Sequence, residues 1–393
     1  MKLAYFVHDL NDPAVRRRVR MLRAGGAEPV VLGFHRGERP ADELEGSPAI
    51  DLGPTYDARL GHRARATALA ALGSARWRAR LAGVEAIMAR SLEMLAVASA
   101  ARAACGLAGP LTYECLDIHR LMLGEGAKSR AMRAVERTLM RRADLLIVSS
   151  PAFLTHYFEP RQGVGDSLRI PVRLVENKVL ELDAEPAPPR PPAPAPGRPW
   201  RIGWLGAIRC RRSLDILSDL VRRRPDLAEV AIHGRPAYTE FADFHGQVAA
   251  TPGMRFGGAY GAQDLARLYG EVHFSWAIDY MEEGLNSSWL LPNRLYESSR
   301  FGATPIALTG VETGRWLAAR NVGLRIADPA DLEAALEGVT PTAYEAMRQA
   351  LADLPASAVV AGPEEARDLA YAIGGAGTGE RIESPEITAK LVA

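Results

Sequence analysis

Three arginines, Arg209, Arg211 and Arg212, fall within four positions of the run LGAIRCRRSLDIL, just after a strand-like segment that reaches Gly206. Guanidinium groups at the start of a helix, beside a glycine turn, suit a diphosphate: they grip it bidentately and offset the charge that builds on it as it leaves. A second polar stretch, DYMEEGLNSSWLLPNRLYESS, passes through Glu283, Gly284, Leu285, Asn286, Ser287 and Ser288 into a helix opened by Pro292, with Asn293 and Arg294 in its first turn. Free amides at such a terminus form an anion site. Glu297, about one turn inside, can accept hydrogen bonds from a ribose diol. In the first half, TYECLDIHR leaves a strand carrying Asp117 and His119, a carboxylate and an imidazole able to orient or deprotonate a hydroxyl. Each feature has a plainer alternative: a solvated helix face for the arginines, a solvated loop for Glu282 and Glu283, a helix cap for Asp117 or His119.

These residues need strands and helices to hold them. Apolar strand-like runs at Lys2 to Val7, Pro29 to Phe34, Ala86 to Met88, Leu111 to Glu114, Leu145 to Ser149 and Val172 to Glu176 alternate with helical patterns at Val15 to Ala24 and Ser129 to Arg142. That alternation predicts a parallel sheet covered on both faces. A proline-rich connector follows at 184–200, stiff and extended because proline removes backbone donors. The alternation then restarts: strands at Trp200 to Leu205, Glu229 to His233, Val272 to Trp276 and Thr304 to Leu308, helices at Ser213 to Arg223, Ala262 to Tyr269 and Pro292 to Arg300. The expected architecture is α/β, with a Rossmann-like domain at 1–183, a second at 201–360, and a C-terminal helix and tail at 361–393 that can pack back on the first domain. Two doubly wound domains facing across a cleft would bind ligands at the carboxyl ends of their sheets.

Composition narrows the classes. The 393 residues include three cysteines, Cys105, Cys115 and Cys210, with no CxxC or Cys/His cluster, so neither a disulfide framework nor a metal site is expected, and a reducing, cytoplasmic setting fits. No stretch reaches the roughly 18 apolar residues of a spanning helix. The formal net charge of +1 conceals a split: residues 1–180 hold 27 Lys and Arg against 19 Asp and Glu, the remainder 21 against 28. The first half is the one to offer anions. This split, and the lack of a reading module, argue against nucleic acid. The first turn, HDLNDPAVRRRVRML, has no G-x-G-x-x-G and so no dinucleotide signature. Its His8, Asp9, Asp12, Arg16, Arg17 and Arg18 begin a helix, where basic side chains can meet an acceptor's diphosphate or form a solvated face.

The segment Leu291, Pro292, Asn293, Arg294, Leu295, Tyr296, Glu297, then Gly302, Pro305 and Ile306, resembles the "LPNKLFEYxAxGxPVI" run of GT-B glycosyltransferases, particularly family 4 and related bacterial polysaccharide enzymes. The run IGWLGAIRCRRSLDIL resembles their "GRLxxxKGxDLL", with Gly206 on the family glycine, Arg212 on its phosphate-binding lysine, and Ala207 where the family has arginine, for which Arg209 or Arg211 substitutes. His233 and Gly234, then Gly258 to Tyr260, match where the family contacts the donor and frames its base. The TYECLDIHR run resembles the one after the fourth strand, and ERTLMRRADLLIVSS and LVENKV extend the likeness over most of residues 1–325. Ser149, Ser150 and Asn177 fall at the end of the first domain, while Glu136 and Asp144 read as surface residues paired with neighbouring arginines.

The resemblance implies a hexosyl-type transferase taking a nucleoside-diphosphate sugar, of UDP or GDP type, as substrate, with no cofactor and no metal. A saccharide, or lipid-linked saccharide, is the implied acceptor, in exopolysaccharide, capsule or lipopolysaccharide assembly. Family 4 retains anomeric configuration. Trp289 stands where that family's first glutamate falls, which leaves two alternatives: Glu283 serves the sugar from a longer loop, or Asn286 and the serines read it. It also leaves inversion open, with Asp117 as base. Rival readings are a nucleotide-sugar 2-epimerase and a degenerate, non-catalytic GT-B scaffold. Finally, residues 58–82 combine six arginines with Trp77 and periodic Ala and Leu, a pattern that lies peripherally on anionic lipid or forms an ordinary surface helix.

Overall fold

The computed structural model describes residues 1–38, 40–56, 60–182, 190–192 and 194–375; most of the expected connector before residue 194 and the tail after 375 lie outside them. The chain divides into two compact units. The first takes in residues 1–176 and 180–182 and returns at 361–375, and the second holds 177–179 and 190–360.

The first unit is built on β1 (Lys2–Val7), β2 (Glu28–His35), β3 (Glu43–Leu44), β4 (Ser47–Pro54), β5 (Ala86–Arg90), β6 (Leu111–Cys115), β7 (Leu145–Val148) and β8 (Val172–Leu174), ordered β3-β4-β2-β1-β5-β6-β7-β8. All neighbours are parallel except β3 and β4. Residues 3–7 of β1 and all of β5 to β7 are buried, the unbroken apolar signature of a sheet covered on both faces. The first helix, Pro13–Ala24, is capped by Asp12, whose side chain accepts from Ala14 N, and turns Val15, Val19 and Leu22 into the core. The last, Pro363–Ile373, joins the same core through Ala366, Leu369, Ala370 and Ile373, spaced along one helical face. It lies so close at Gly25 that a Cβ there would stand 2.2 Å from the Ala366 carbonyl oxygen.

Two readings of this unit are corrected. Glu136 is only 2% exposed, with no arginine among the described residues as hydrogen-bond partner; it accepts from the hydroxyls of Tyr113 and Tyr157 and from the Gln162 amide, the last two carried by a π-helix at Leu154–Gln162. Burial raises its pKa, and these three donors only partly offset that. Trp77, read as part of a lipid-facing segment, is buried and packs against Phe6 with the ring planes tilted.

A short strand β9 (Val179–Leu180) falls where the chain passes between the units. In the second unit β10 (Trp200–Ile208), β11 (Ala228–Pro236), β12 (Met254–Phe256), β13 (Phe274–Trp276), β14 (Thr304–Leu308) and β15 (Leu324–Ile326) form one parallel sheet, ordered β12-β11-β10-β13-β14-β15. Helix Arg211–Arg223 buries Leu214, Leu217, Leu220 and Val221, and helix Asn293–Phe301 buries Leu295, Tyr296 and Phe301. The strand order reverses between β1 and β5 in the first sheet and between β10 and β13 in the second. In open α/β folds such switch points are where ligands bind.

Candidate functional site

In the second unit the switch point is lined by what leaves β10 and β13. The β10 and β11 strands run in register with Gly206 opposite Gly234, at φ of +113° and +144°. A Cβ on Gly234 would sit 1.8 Å from the Gly206 carbonyl oxygen, so no side chain fits and bare backbone lines the carboxyl edge there. Just beyond, Arg209 reaches across to the loop after β13: its Nε and Nη2 both lie 3.1 Å from Asp279 Oδ2. Burial raises the Asp279 pKa, but Arg294 and Arg209 more than reverse it, leaving the carboxyl below its usual range.

Arg212 donates to Glu283 at 2.5 Å and lies over the Tyr280 ring at 4.3 Å. Two arginines of the first cluster are thereby brought to the loop, but Arg211 is not: it points along its own helix toward Asp215, 3.8 Å away. Cys210, between them, caps the 211–223 helix and accepts from the amides of Ser213 and Tyr280, tying loop to helix.

The loop itself is more ordered than a polar connector. A single helical turn occupies Asn286–Trp289, and the serine hydroxyls serve the loop: Ser287 Oγ accepts from Glu282 N and Ser288 Oγ from Gly284 N, at 3.0 and 2.8 Å. Asn286 is buried, while Gly284, at φ +75°, and Leu285 are exposed. Pro292 stands at the cap position, and the helix proper begins at Asn293, whose side chain is exposed.

Glu297 is half-buried and receives the Tyr269 hydroxyl at 3.0 Å, which fixes its carboxylate. Burial and then Glu297 raise the pKa of both Tyr260 and Tyr269, so both stay protonated and can donate. Arg294 is buried; its Nη2 donates to the Ile278 carbonyl at 3.2 Å and, among the described residues, its Nε has no hydrogen-bond partner. Beside β11, the His233 ring lies over Gly257, where a Cβ would meet it at 2.0 Å, and burial pushes its pKa down, so it is neutral near pH 7. Gly258 closes this edge by accepting from Gly234 N at 2.8 Å.

The first unit gathers the other candidates. Asp117 is exposed just after β6. His119 is the cap of helix Arg120–Leu123, its Nδ1 accepting from Leu121 N at 3.2 Å, and burial, then Arg63, lowers its pKa. An imidazole accepting at Nδ1 carries its proton on Nε2, so it offers a donor rather than a base. Asp9 is buried and accepts from the amides of Asn11 and Arg36, a loop-shaping role. His8 pairs with Asp12 at 3.3 Å and Arg16 with Glu45 at 3.6 Å, while Arg17 is half-buried on the same helix. Arg18, read as facing an acceptor, is buried instead, its Nε 2.7 Å from Glu114.

No protein-family model matches the chain. Over 356 residues it is 49% identical to the succinoglycan biosynthesis protein ExoL of Rhizobium meliloti (strain 1021), covering 88% of this chain and 86% of that protein. The chain belongs to the ExoL family of polysaccharide-biosynthesis glycosyltransferases. Its fold is GT-B. HepE of Anabaena, solved in complex with UDP and glucose, aligns over 100% of this chain and 98% of its own at a TM-score of 0.60 and 13% identity. Sucrose-phosphate synthase of Thermosynechococcus elongatus aligns over 100% and 99% at 0.67 and 15%, and a trehalose 6-phosphate synthase of Burkholderia multivorans over 95% and 98% at 0.60 and 9%. Sequence reasoning missed Asp279, Tyr269 and Cys210. Asp279 was legible as an acidic residue just past a strand, but only the fold reveals that Arg209 answers it.

Proposed function

We propose that this ExoL-family glycosyltransferase takes a UDP-sugar in its second unit and transfers the sugar to a saccharide acceptor held by the first, in exopolysaccharide assembly. The observation that carries the donor assignment is the β10/β13 switch point. Bare backbone at Gly206 and Gly234, guanidinium groups at Arg209 and Arg212, and a carboxylate at Glu297 fixed by Tyr269 stand along one sheet edge. Diphosphate, sugar and ribose need those three kinds of partner. The choice of uridine rests on the UDP in the HepE complex.

In the transfer an acceptor hydroxyl oxygen forms a bond to the anomeric carbon as the carbon's bond to the β-phosphate breaks. The bonding pair leaves with UDP, and Arg209 and Arg212, exchanging Asp279 and Glu283 for phosphate oxygens, offset the new charge. The hydroxyl proton passes to Asp117 or to the departing phosphate. The likeness to family 4 supports retention of configuration, and the two arginines supply the countercharge without a metal.

Calorimetric titration with UDP, GDP and their sugars tests the donor site. Micromolar binding of UDP, lost in Glu297→Ala, is expected; a silent panel would sink the assignment. Among the described residues no helix is long and apolar enough to cross a membrane. We further infer a peripheral contact with anionic lipid through helix Leu60–Leu72, which exposes Leu69 and Leu72 near Arg65, Arg76 and Arg80. Flotation with phosphatidylglycerol vesicles should be lost in Leu69→Ser/Leu72→Ser; equal flotation of both proteins would remove the contact.

A further inference from the structure

The first sheet has its own switch point, between β1 and β5, and the residues that leave those strands are His8 on one side and Arg90 and Ser91 on the other. Arg90 is 5% exposed and sits where there is one carboxylate too few. Arg18 and Arg90 share Glu114, at 2.7 and 3.1 Å, and Glu114 also accepts the Tyr5 hydroxyl at 2.7 Å. Arg90 Nε makes this ion pair without an aligned hydrogen bond, and among the described residues Arg90 Nη1 has no hydrogen-bond partner. Asp12, the other carboxylate in electrostatic reach, is committed to Ala14 N at 2.8 Å and to His8 at 3.3 Å. Leaving a buried donor unpaired is costly, and more so for a charged group. A fold keeps such a cost where something else supplies the acceptor.

Two further groups share the deficit. Among the described residues His8 Nδ1 and Ser91 Oγ are buried without an aligned hydrogen bond, the Ser91 hydroxyl lying within reach of the Glu93 carboxylate. Ser91 also holds φ +83°, a left-handed backbone that a residue with a Cβ adopts only under strain, and it stands at the cap of helix Leu92–Cys105 without making the cap bond. The strain therefore does not serve the helix. Glu93, in that helix's first turn, is the nearby anion, and it is engaged by Arg63 at 2.5 Å.

We propose that the β1/β5 crevice binds a phosphate group, with Arg90 Nη1 and Ser91 Oγ as its donors. This rests on the reading that the first unit takes the acceptor and deepens it: the acceptor carries a phosphate, as a lipid-linked diphosphate does. A tetrahedral phosphate presents several oxygens to donors arriving from two strand ends, which suits the spread of unmade bonds here better than a planar carboxylate.

The test is titration of the full-length protein, saturated with UDP so that the donor site does not compete, with farnesyl diphosphate, inorganic pyrophosphate and sodium glucuronate. Farnesyl diphosphate is expected to bind, at least tenfold more weakly to Arg90→Gln and Ser91→Ala, with partial rescue in Arg90→Lys. Pyrophosphate binding as tightly would show that a free phosphate fills the site, and tighter farnesyl diphosphate that a lipid-linked one does. Preference for glucuronate, or unchanged affinity in both Arg90→Gln and Ser91→Ala, overturns the proposal. Because Glu114 keeps Arg18 and Tyr5, Arg90→Gln should hold or raise the melting temperature of the ligand-free protein, whereas a purely structural arginine would lower it. Absence of a UDP isotherm would defeat the donor reading alone, since the phosphate titration can be run without it.

Discussion

Asp12 illustrates how one carboxylate links helix, pair and pH. Burial raises its pKa, but hydrogen bonding to His8, the charges of Arg90 and His8, and Ala14 N reverse this and hold it at about 2, against 3.8 for a free aspartate. A folded-state pKa below the unfolded value means stability that is fully present above the unfolded pKa and is lost as pH falls through the folded one. The size is about 2 kcal/mol. Asn also caps helices well, so Asp12→Asn isolates the charge: urea unfolding should show it about 2 kcal/mol less stable than wild type near pH 6, the gap closing between pH 4 and pH 2. A gap that does not change with pH would mean that geometry, not charge, is at stake. At this scale the donor-side residues were legible because their types are rare after a strand: arginines beyond Gly206, a glutamate one turn into the 293–301 helix. Arg90 and Ser91 were not, because AIMARS reads as an ordinary strand end, and an unmade hydrogen bond exists only once the neighbours are placed.

Among elements, those with dense apolar runs could be read directly: β1, β6 and β14 fall where the pattern put them, because parallel strands leave no polar alternation to confuse. Strand β4, SPAIDLGP, is diluted by proline and glycine, and helix Leu92–Cys105 is nearly all apolar or alanine, so neither announces its period. The π-helix at 154–162 has no sequence signal at all, and it decides the environment of Glu136. Truncating Glu136 leaves Tyr113, Tyr157 and Gln162 without their common acceptor. Glu136→Ala should therefore cost about 3 kcal/mol in equilibrium unfolding, and Glu136→Gln about 1, since an amide keeps one acceptor oxygen. A raised folded pKa adds a sign: wild type should gain on Glu136→Gln as pH falls from neutrality toward the unfolded value of 4.5. Equal losses in the two variants would deny the hydrogen bonds their role.

The whole molecule carries two doubly wound sheets, each with its own switch point and its own charge arrangement. In the second, arginines are already answered by loop carboxylates, Arg209 by Asp279 and Arg212 by Glu283, so the proposed nucleotide would exchange partners there. In the first, Arg90 waits for one. Ligands should then act on separate parts of the chain. At a hundredfold excess over its dissociation constant, UDP stabilises whatever binds it by about 2.7 kcal/mol. Amides that exchange only through unfolding of the second unit should slow by about a hundredfold. Hydrogen exchange with UDP alone should show added protection at Gly203–Arg212, His233–Gly234, Gly257–Tyr260 and Asp279–Glu297, with Met1–Glu176 unchanged, because no group that UDP needs is assigned there. Protection confined to Met1–Glu176 would place the nucleotide on the wrong sheet, and with it would fall the reading of Gly206, Gly234 and Glu297 as the donor edge.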